Sequence, residues 1–190
     1  MRIRWFLIVM FGTGCSGSGG SDAVSAGLSF QAELEALNRL PVTTIVDLPP
    51  SGTVNYVGNV QLRLPIAGQT TDYKGDLHVA FDFDRPTDFV TGQIGHLQHN
   101  GSILSGRLDL SNGTLDRTAE PDRDYQFSAD LAGLFIEGGV EYRTSGEIYG
   151  DFRDVDSATT TGVLAGTLSS DEDGLVLFDG AFFARKDHEP

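Results

Sequence analysis

The chain has 190 residues, a single cysteine and a formal net charge of −14 at pH 7. This length predicts about one domain, and a single cysteine cannot form an intrachain disulfide. The acidity argues against a nucleic-acid partner, because a polyanion would be repelled rather than attracted.

The first 20 residues are organised like a secretory signal. Two arginines precede an apolar run over residues 5–11, which is much shorter than the roughly 20 residues of a membrane-spanning helix. Small residues and then Cys15 follow, and this order resembles the lipobox of bacterial lipoproteins, where the mature protein begins at a lipidated cysteine. Gly12 stands where the lipobox prefers Leu, so the alternatives are an ordinary signal peptide with a chance cysteine and a wrongly assigned start of the chain.

The lipobox resemblance implies a lipoprotein signal peptide over residues 1–14 and a lipid anchor on Cys15. Ser16 follows the cysteine, and the resemblance to Gram-negative lipoproteins implies that a chain without Asp at this position goes to the outer membrane, on either its periplasmic or its cell-surface side. A membrane is therefore an expected partner, reached through the lipid.

A tether and a short helix are predicted next. Residues 15–28 are rich in Gly and Ser and predict a flexible tether. Residues 29–47 are predicted as a short helix and connector, with Ser29 as the N-cap, because apolar residues recur at i, i+4 and i+7. These apolar positions are Phe30, Leu34 and Leu37.

The barrel domain is predicted over residues 48–187, where the apolar period changes to two. Alternation is cleanest over residues 77–84. Asn100-Gly101, Asn112-Gly113 and Asp173-Gly174 are typical of hairpin turns. The predicted strands cover residues 53–62, 77–84, 91–97, 103–110, 125–135, 140–152, 163–168 and 175–183.

About eight short strands with tight turns indicate an all-β fold. We predict an eight-stranded antiparallel up-and-down β-barrel with a short N-terminal helix, because closure removes exposed sheet edges. A β-sandwich is the alternative architecture. The many Phe and Leu residues predicted to face inward indicate a filled lumen.

Several short motifs then occur in a recognisable order, from Leu48-Pro49-Pro50-Ser51-Gly52 through Val79-Ala80-Phe81-Asp82-Phe83 and Gly146-Glu147-Ile148-Tyr149-Gly150 to Ala181-Phe182-Phe183-Ala184. This order resembles the barrel domain shared by transferrin-binding protein B and factor H-binding protein. The resemblance implies a lipid-anchored barrel that binds a protein ligand through exposed loops, but it does not imply which ligand. The chain has room for one barrel and for no additional handle domain.

Candidate catalytic and metal-binding residues each have a simpler interpretation. His96 and His99 are three apart, so their rings should diverge on a strand. The acidic run at residues 171–174 does not match the calcium-loop pattern, so we predict that it forms a solvated hairpin turn. Asp82 and Asp84 are expected on one strand face, with Arg85 compensating their charge. No nucleophile motif occurs, so we expect no enzyme activity, no cofactor and no metal.

Aromatic residues near strand ends are better candidates for contacts with a protein ligand, although core packing is the favoured interpretation of each one singly. These are Phe89, Tyr125, Tyr142, Tyr149 and Phe152. We therefore predict a monomeric, outer-membrane-anchored binding lipoprotein. One alternative is a lipocalin-like carrier of a small apolar ligand in the lumen, and another is an envelope subunit without a soluble ligand.

Overall fold

The structure, a computed structural model, describes residues 22–85, 87–121 and 123–187, with side chains described from Phe30 onward. The predicted signal peptide and Cys15 lie outside the described residues. One helix, nine strands and two single-turn 3-10 helices are present within these ranges. They are α1 (Asp22–Asn38), the 3-10 turn Ile45–Asp47, β1 (Thr53–Ile66), β2 (Gln69–Asp82), β3 (Val90–His99), β4 (Ser102–Ile103), β5 (Ser105–Leu115), β6 (Phe127–Glu137), β7 (Val140–Arg153), the 3-10 turn Val155–Ser157, β8 (Thr159–Ser170) and β9 (Gly174–Lys186).

The strands close into one barrel. Consecutive strands pair antiparallel except β4 and β5, which both pair with β3, and β9 pairs back onto β1. Because β4 is a two-residue strand directly before β5, the barrel wall consists of eight long strands. The predicted eight-stranded up-and-down barrel is confirmed, and the sandwich is wrong because a single sheet closes on itself.

Side chains fill the lumen. Along β1, Val60, Leu62 and Leu64 are completely buried, whereas the residues between them face outward. Phe81 lies at the centre of an aromatic cluster, with its ring centroid 4.8 Å from that of Phe127 and 4.7 Å from that of Phe152. Inward Phe and Leu side chains fill the lumen, as predicted.

The two ends of the barrel differ. The hairpin end carries tight turns at residues 67–68, 100–101, 138–139 and 171–173. The opposite, capped end carries residues 83–85 and 87–89 between β2 and β3, residues 116–121 and 123–126 between β5 and β6, and residues 154–158 between β7 and β8. The connector after α1, residues 39–52, also lies at this end, where Val42 bridges to Arg153 and Leu48 joins the core.

The Asn112-Gly113 hairpin prediction is wrong, because both residues lie inside β5. Asn112 has φ 53°, and the pairing with β6 shifts register between Ser111 and Thr114, which defines a bulge. A Cβ on Gly113 would stand 2.3 Å from the Cβ of Val90. Asn tolerates positive φ in bulges as well as in turns, so the dipeptide alone does not separate the two. Turns do occur at Asn100-Gly101 and before Gly174, as predicted.

Helix α1 begins earlier than predicted. It starts at Asp22, so Ser29 lies inside the helix and is not its N-cap, and residues 22–28 of the predicted tether are helical. Its apolar side chains pack on Phe183, which faces outward from β9, with 5.2 Å between the ring centroids of Phe30 and Phe183. No helix in the described ranges is long and apolar enough to cross a membrane.

Candidate functional site

The two histidines of the predicted pair have separate partners. The ring Nδ1 of His96 lies 2.8 Å from a carboxylate oxygen of Asp76, and the Nδ1 of His99 lies 2.9 Å from the carbonyl oxygen of Asp72. His96 has φ 52° and occupies an irregular position in β3. Within the described residues, no three His, Cys, Asp or Glu side chains are grouped so that they could hold a metal ion together.

The two carboxylates at the end of β2 serve the local turn. The strand ends at Asp82, and Asp84 lies in the following loop, so the prediction that both share one strand face is wrong. Asp82 pairs with Arg85 at 3.0 Å, as predicted. Asp84 accepts a hydrogen bond from the backbone N–H of Gly52 at 3.0 Å, which joins this loop to the start of β1.

The acidic run after β8 forms a hairpin turn. The Asp173 carboxylate accepts hydrogen bonds from the Tyr142 hydroxyl and the Ala67 backbone N–H, both at 3.0 Å. These bonds join the β1–β2 and β8–β9 turns. Burial, together with the Asp173 carboxylate, raises the pKa of Tyr142.

Three of the five candidate aromatic residues belong to the core. Phe89, Tyr142 and Phe152 are at most 1% exposed, which agrees with the core packing favoured for each of them singly and removes them as candidate contacts. Each occupies an inward position near a barrel end, and burial of such large apolar area outweighs presentation to solvent. Tyr125 is 43% exposed, and Tyr149 lies half-buried on the outer wall with its ring against that of Tyr125.

Large apolar side chains that were not predicted as contact residues are exposed at the hairpin end. Leu175 and Leu177 on β9 are 72% and 78% exposed, and Ile103 on β4 is 64% exposed. Parity along β9 could have identified the two leucines, since they share the outward face with Asp179. These residues and the tyrosine pair are candidate contacts for a partner.

No protein-family model and no curated protein sequence matches the chain. Two solved structures that match are variants of the vaccine antigen transferrin-binding protein B from Haemophilus parasuis Hp5, one with a single substitution and one with two. Both are 14% identical to this chain over 78% of its length, with TM-scores of 0.47 and 0.48.

The chain spans less than a third of these structures, namely 29% and 28% of their lengths. These structures are of the protein whose barrel domain the sequence motifs resemble. In class, this protein is a closed and filled up-and-down β-barrel whose candidate binding groups lie on the outer surface.

Proposed function

We propose that this protein is an outer-membrane-anchored binding lipoprotein whose barrel presents its outer surface to a protein partner. One observation carries this proposal: the lumen is filled, while large apolar side chains point into solvent. Leu175 and Leu177 leave most of their surface in water next to a core in which Leu62 and Leu64 are completely buried. Exposed apolar groups of this size are typical of contact surfaces.

The proposed anchor is a lipid on Cys15. Its support is the lipobox-like order of a basic start, a short apolar run and small residues before the chain's one cysteine. Two or more acyl chains hold a protein stably on a bilayer, whereas one binds only marginally. We also propose that the protein acts as a monomer, because closure pairs each long strand in the described ranges on both sides and leaves no long strand edge there for another copy.

Binding is favoured over catalysis and over transport in the lumen. The histidine and aspartate side chains considered above are engaged with separate structural partners. A lipocalin-like carrier needs a pocket of about 300 Å³ or more. The aromatic cluster around Phe81 occupies that volume, so the lumen offers no support for the carrier hypothesis.

Metabolic labelling with palmitate tests the anchor. Cells expressing the wild-type chain should yield labelled protein, and Cys15→Ala should yield none at equal expression. Protease treatment of intact cells then separates the two sides of the membrane, since only a surface-exposed barrel would be degraded. An unlabelled wild-type chain would contradict the anchor.

Partner capture tests the binding role. The purified full chain is incubated with extracellular fluids, recovered proteins are identified and purified, and binding curves are measured. We expect saturable binding that the double variant Leu175→Ser/Leu177→Ser weakens at least tenfold. Val46→Ser is the matched control, because Val46 is 89% exposed in the connector, away from β9. Equal weakening by the control, or no saturable partner, would reject the role assigned to this surface.

A further inference from the structure

Two stacked tyrosines form the centre of a distinct surface on the outer wall of β6, β7 and β8. The ring centroids of Tyr125 and Tyr149 are 5.9 Å apart and the ring planes are inclined by 32°. Val163, directly opposite Tyr149 on β8, is 40% exposed. We call Tyr125, Tyr149 and Val163, together with Glu147 and Asp130, the tyrosine surface.

The two carboxylates of the tyrosine surface lie opposite each other, and no described Lys or Arg side chain forms an ion pair with either. Asp130 on β6 and Glu147 on β7 are cross-strand partners, and both are exposed. Asp130 accepts a hydrogen bond from the Asn112 side chain at 2.7 Å, and Glu147 accepts one from the Tyr149 hydroxyl. Neither forms an ion pair with a described residue, although exposed acids elsewhere on the wall, such as Asp109 and Glu141, do. Like charges directly opposite destabilise a sheet, and a bound cation would relieve that repulsion.

A shallow trough runs from these carboxylates across the wall. Its volume is about 590 Å³, and it is open to solvent along its length. Ala132, Ser145 and Ala165 line it with small exposed side chains. The trough reaches from β5 to β8, three strand spacings or about 14 Å, which is the length of about four extended residues.

We propose that the tyrosine surface binds a basic polypeptide segment. One Lys or Arg side chain would lie over the tyrosine rings, where a cation is attracted to the aromatic face. A second would lie between Asp130 and Glu147 and form charge-assisted hydrogen bonds with both. The net charge of −14 steers a basic segment towards the protein. This inference rests on the proposed function only in that the outer wall binds a protein, and not on the lipid anchor.

The test uses a fluorescein-labelled hexapeptide of alternating Arg and Ser and the purified full chain, with binding followed by fluorescence anisotropy. We expect Tyr149→Ser and Glu147→Gln each to weaken binding about fivefold or more. Tyr149→Phe keeps the ring and should weaken it less than Tyr149→Ser. The controls are Val57→Ser, a change at a 38% exposed side chain on β1, and Glu172→Gln, which removes the same charge at the hairpin end; both should bind like wild type.

Three outcomes would overturn the inference. Equal weakening by Glu147→Gln and Glu172→Gln would mean that the peptide senses only the overall charge. Wild-type affinity in Tyr149→Ser with an unchanged melting temperature would exclude the aromatic contact. Binding of maltohexaose in place of the peptide would assign the tyrosines to a saccharide. Palmitate labelling and partner capture measure other properties, so failure of the proposed function is recognised separately.

Discussion

Gln126 and Phe152 are joined at the capped end by a side chain that completes the backbone hydrogen bonding of two segments. The Gln126 side-chain oxygen accepts the Phe152 N–H at 2.8 Å, and its amide nitrogen donates to the carbonyl oxygen of Thr43 at 2.6 Å. Thr43 in turn donates its N–H to the carbonyl oxygen of Phe152 at 2.8 Å. One buried amide therefore holds the connector against the end of β7.

Gln126→Leu should lower the free energy of unfolding by about 2 kcal/mol or more, because it leaves a buried N–H and a buried carbonyl without a partner. Urea denaturation measures this change. Gln93→Leu is the control, since Gln93 is exposed on β3 and should shift stability by less than about 0.5 kcal/mol. A Gln126→Leu protein as stable as wild type would show that water replaces both bonds.

Arg153 is predicted to hold the C-terminal end of α1. Its guanidinium donates to the carbonyl oxygens of Asn38 and Leu40, both at 3.0 Å, and its Nε donates to the Thr161 hydroxyl at 2.8 Å. Arg153→Met keeps the apolar stem and removes these bonds, which should cost about 1–3 kcal/mol.

Hydrogen exchange measured by mass spectrometry should then show faster exchange in peptides covering residues 30–44. The control is Arg143→Met, because the Arg143 side chain is 76% exposed and forms a surface ion pair with Glu141. Unchanged exchange in the Arg153→Met protein would mean that the packing of α1 on Phe183 suffices to fix the helix.

Gly162→Ala should be strongly destabilising, whereas Gly95→Ala should be tolerated. A Cβ at Gly162 would lie 1.9 Å from the carbonyl oxygen of Tyr149, whereas a Cβ at Gly95 meets no atom within 4 Å. The backbone at Gly162 cannot move away without breaking the β7–β8 pairing. Gly162→Ala should therefore lower the free energy of unfolding by about 3 kcal/mol or more. Thermal melting of both variants measures the difference, and similar melting temperatures would contradict the close approach of the strands.

The hydrogen bond to Glu147 should be visible in the titration of Tyr149. This bond, with a smaller contribution from burial, raises the pKa of Tyr149 above its ordinary value. Because the folded-state pKa is raised, the associated stability is present below about pH 10 and is lost as the pH rises through the folded value. Glu147→Gln should lower the pKa towards normal.

Carbon-13 NMR of the tyrosine Cζ atoms follows this titration residue by residue. Glu172→Gln serves as the control, because it removes an equal charge at the hairpin end and should leave Tyr149 unchanged. A Tyr149 pKa that falls equally in both variants would indicate a general charge effect and would argue against a specific bond.

Much of the barrel could be predicted because local pattern and global fold agree there. Alternation in β2 assigned Leu77, Val79 and Phe81 to one face, and all three are buried. Turn residues were less reliable: Asn100-Gly101 forms a turn, but Asn112-Gly113 forms a bulge, since both conformations accept positive φ. The turns at Ala67-Gly68 and Gly138-Gly139 were missed.

The candidate site depended on information that periodicity does not contain. Phe152 and Tyr149 lie three apart on β7 and therefore point to opposite faces; Phe152 is buried at the capped end and Tyr149 is half-buried on the outer wall. Two-residue periodicity separates the faces of a strand, but it does not tell whether an aromatic near a strand end packs beneath a connector. The role of Gln126 likewise depends on Thr43, which is 83 positions away in the chain.

The amino-acid sequence by itself determined the architecture, because side-chain alternation and turn chemistry act between near neighbours along the chain. Closure of the sheet decided the rest: which aromatics are exposed, which carboxylates oppose each other, and where the connector binds. Those features arise from contacts between residues distant in sequence, and their energies exist only once the strands are in register.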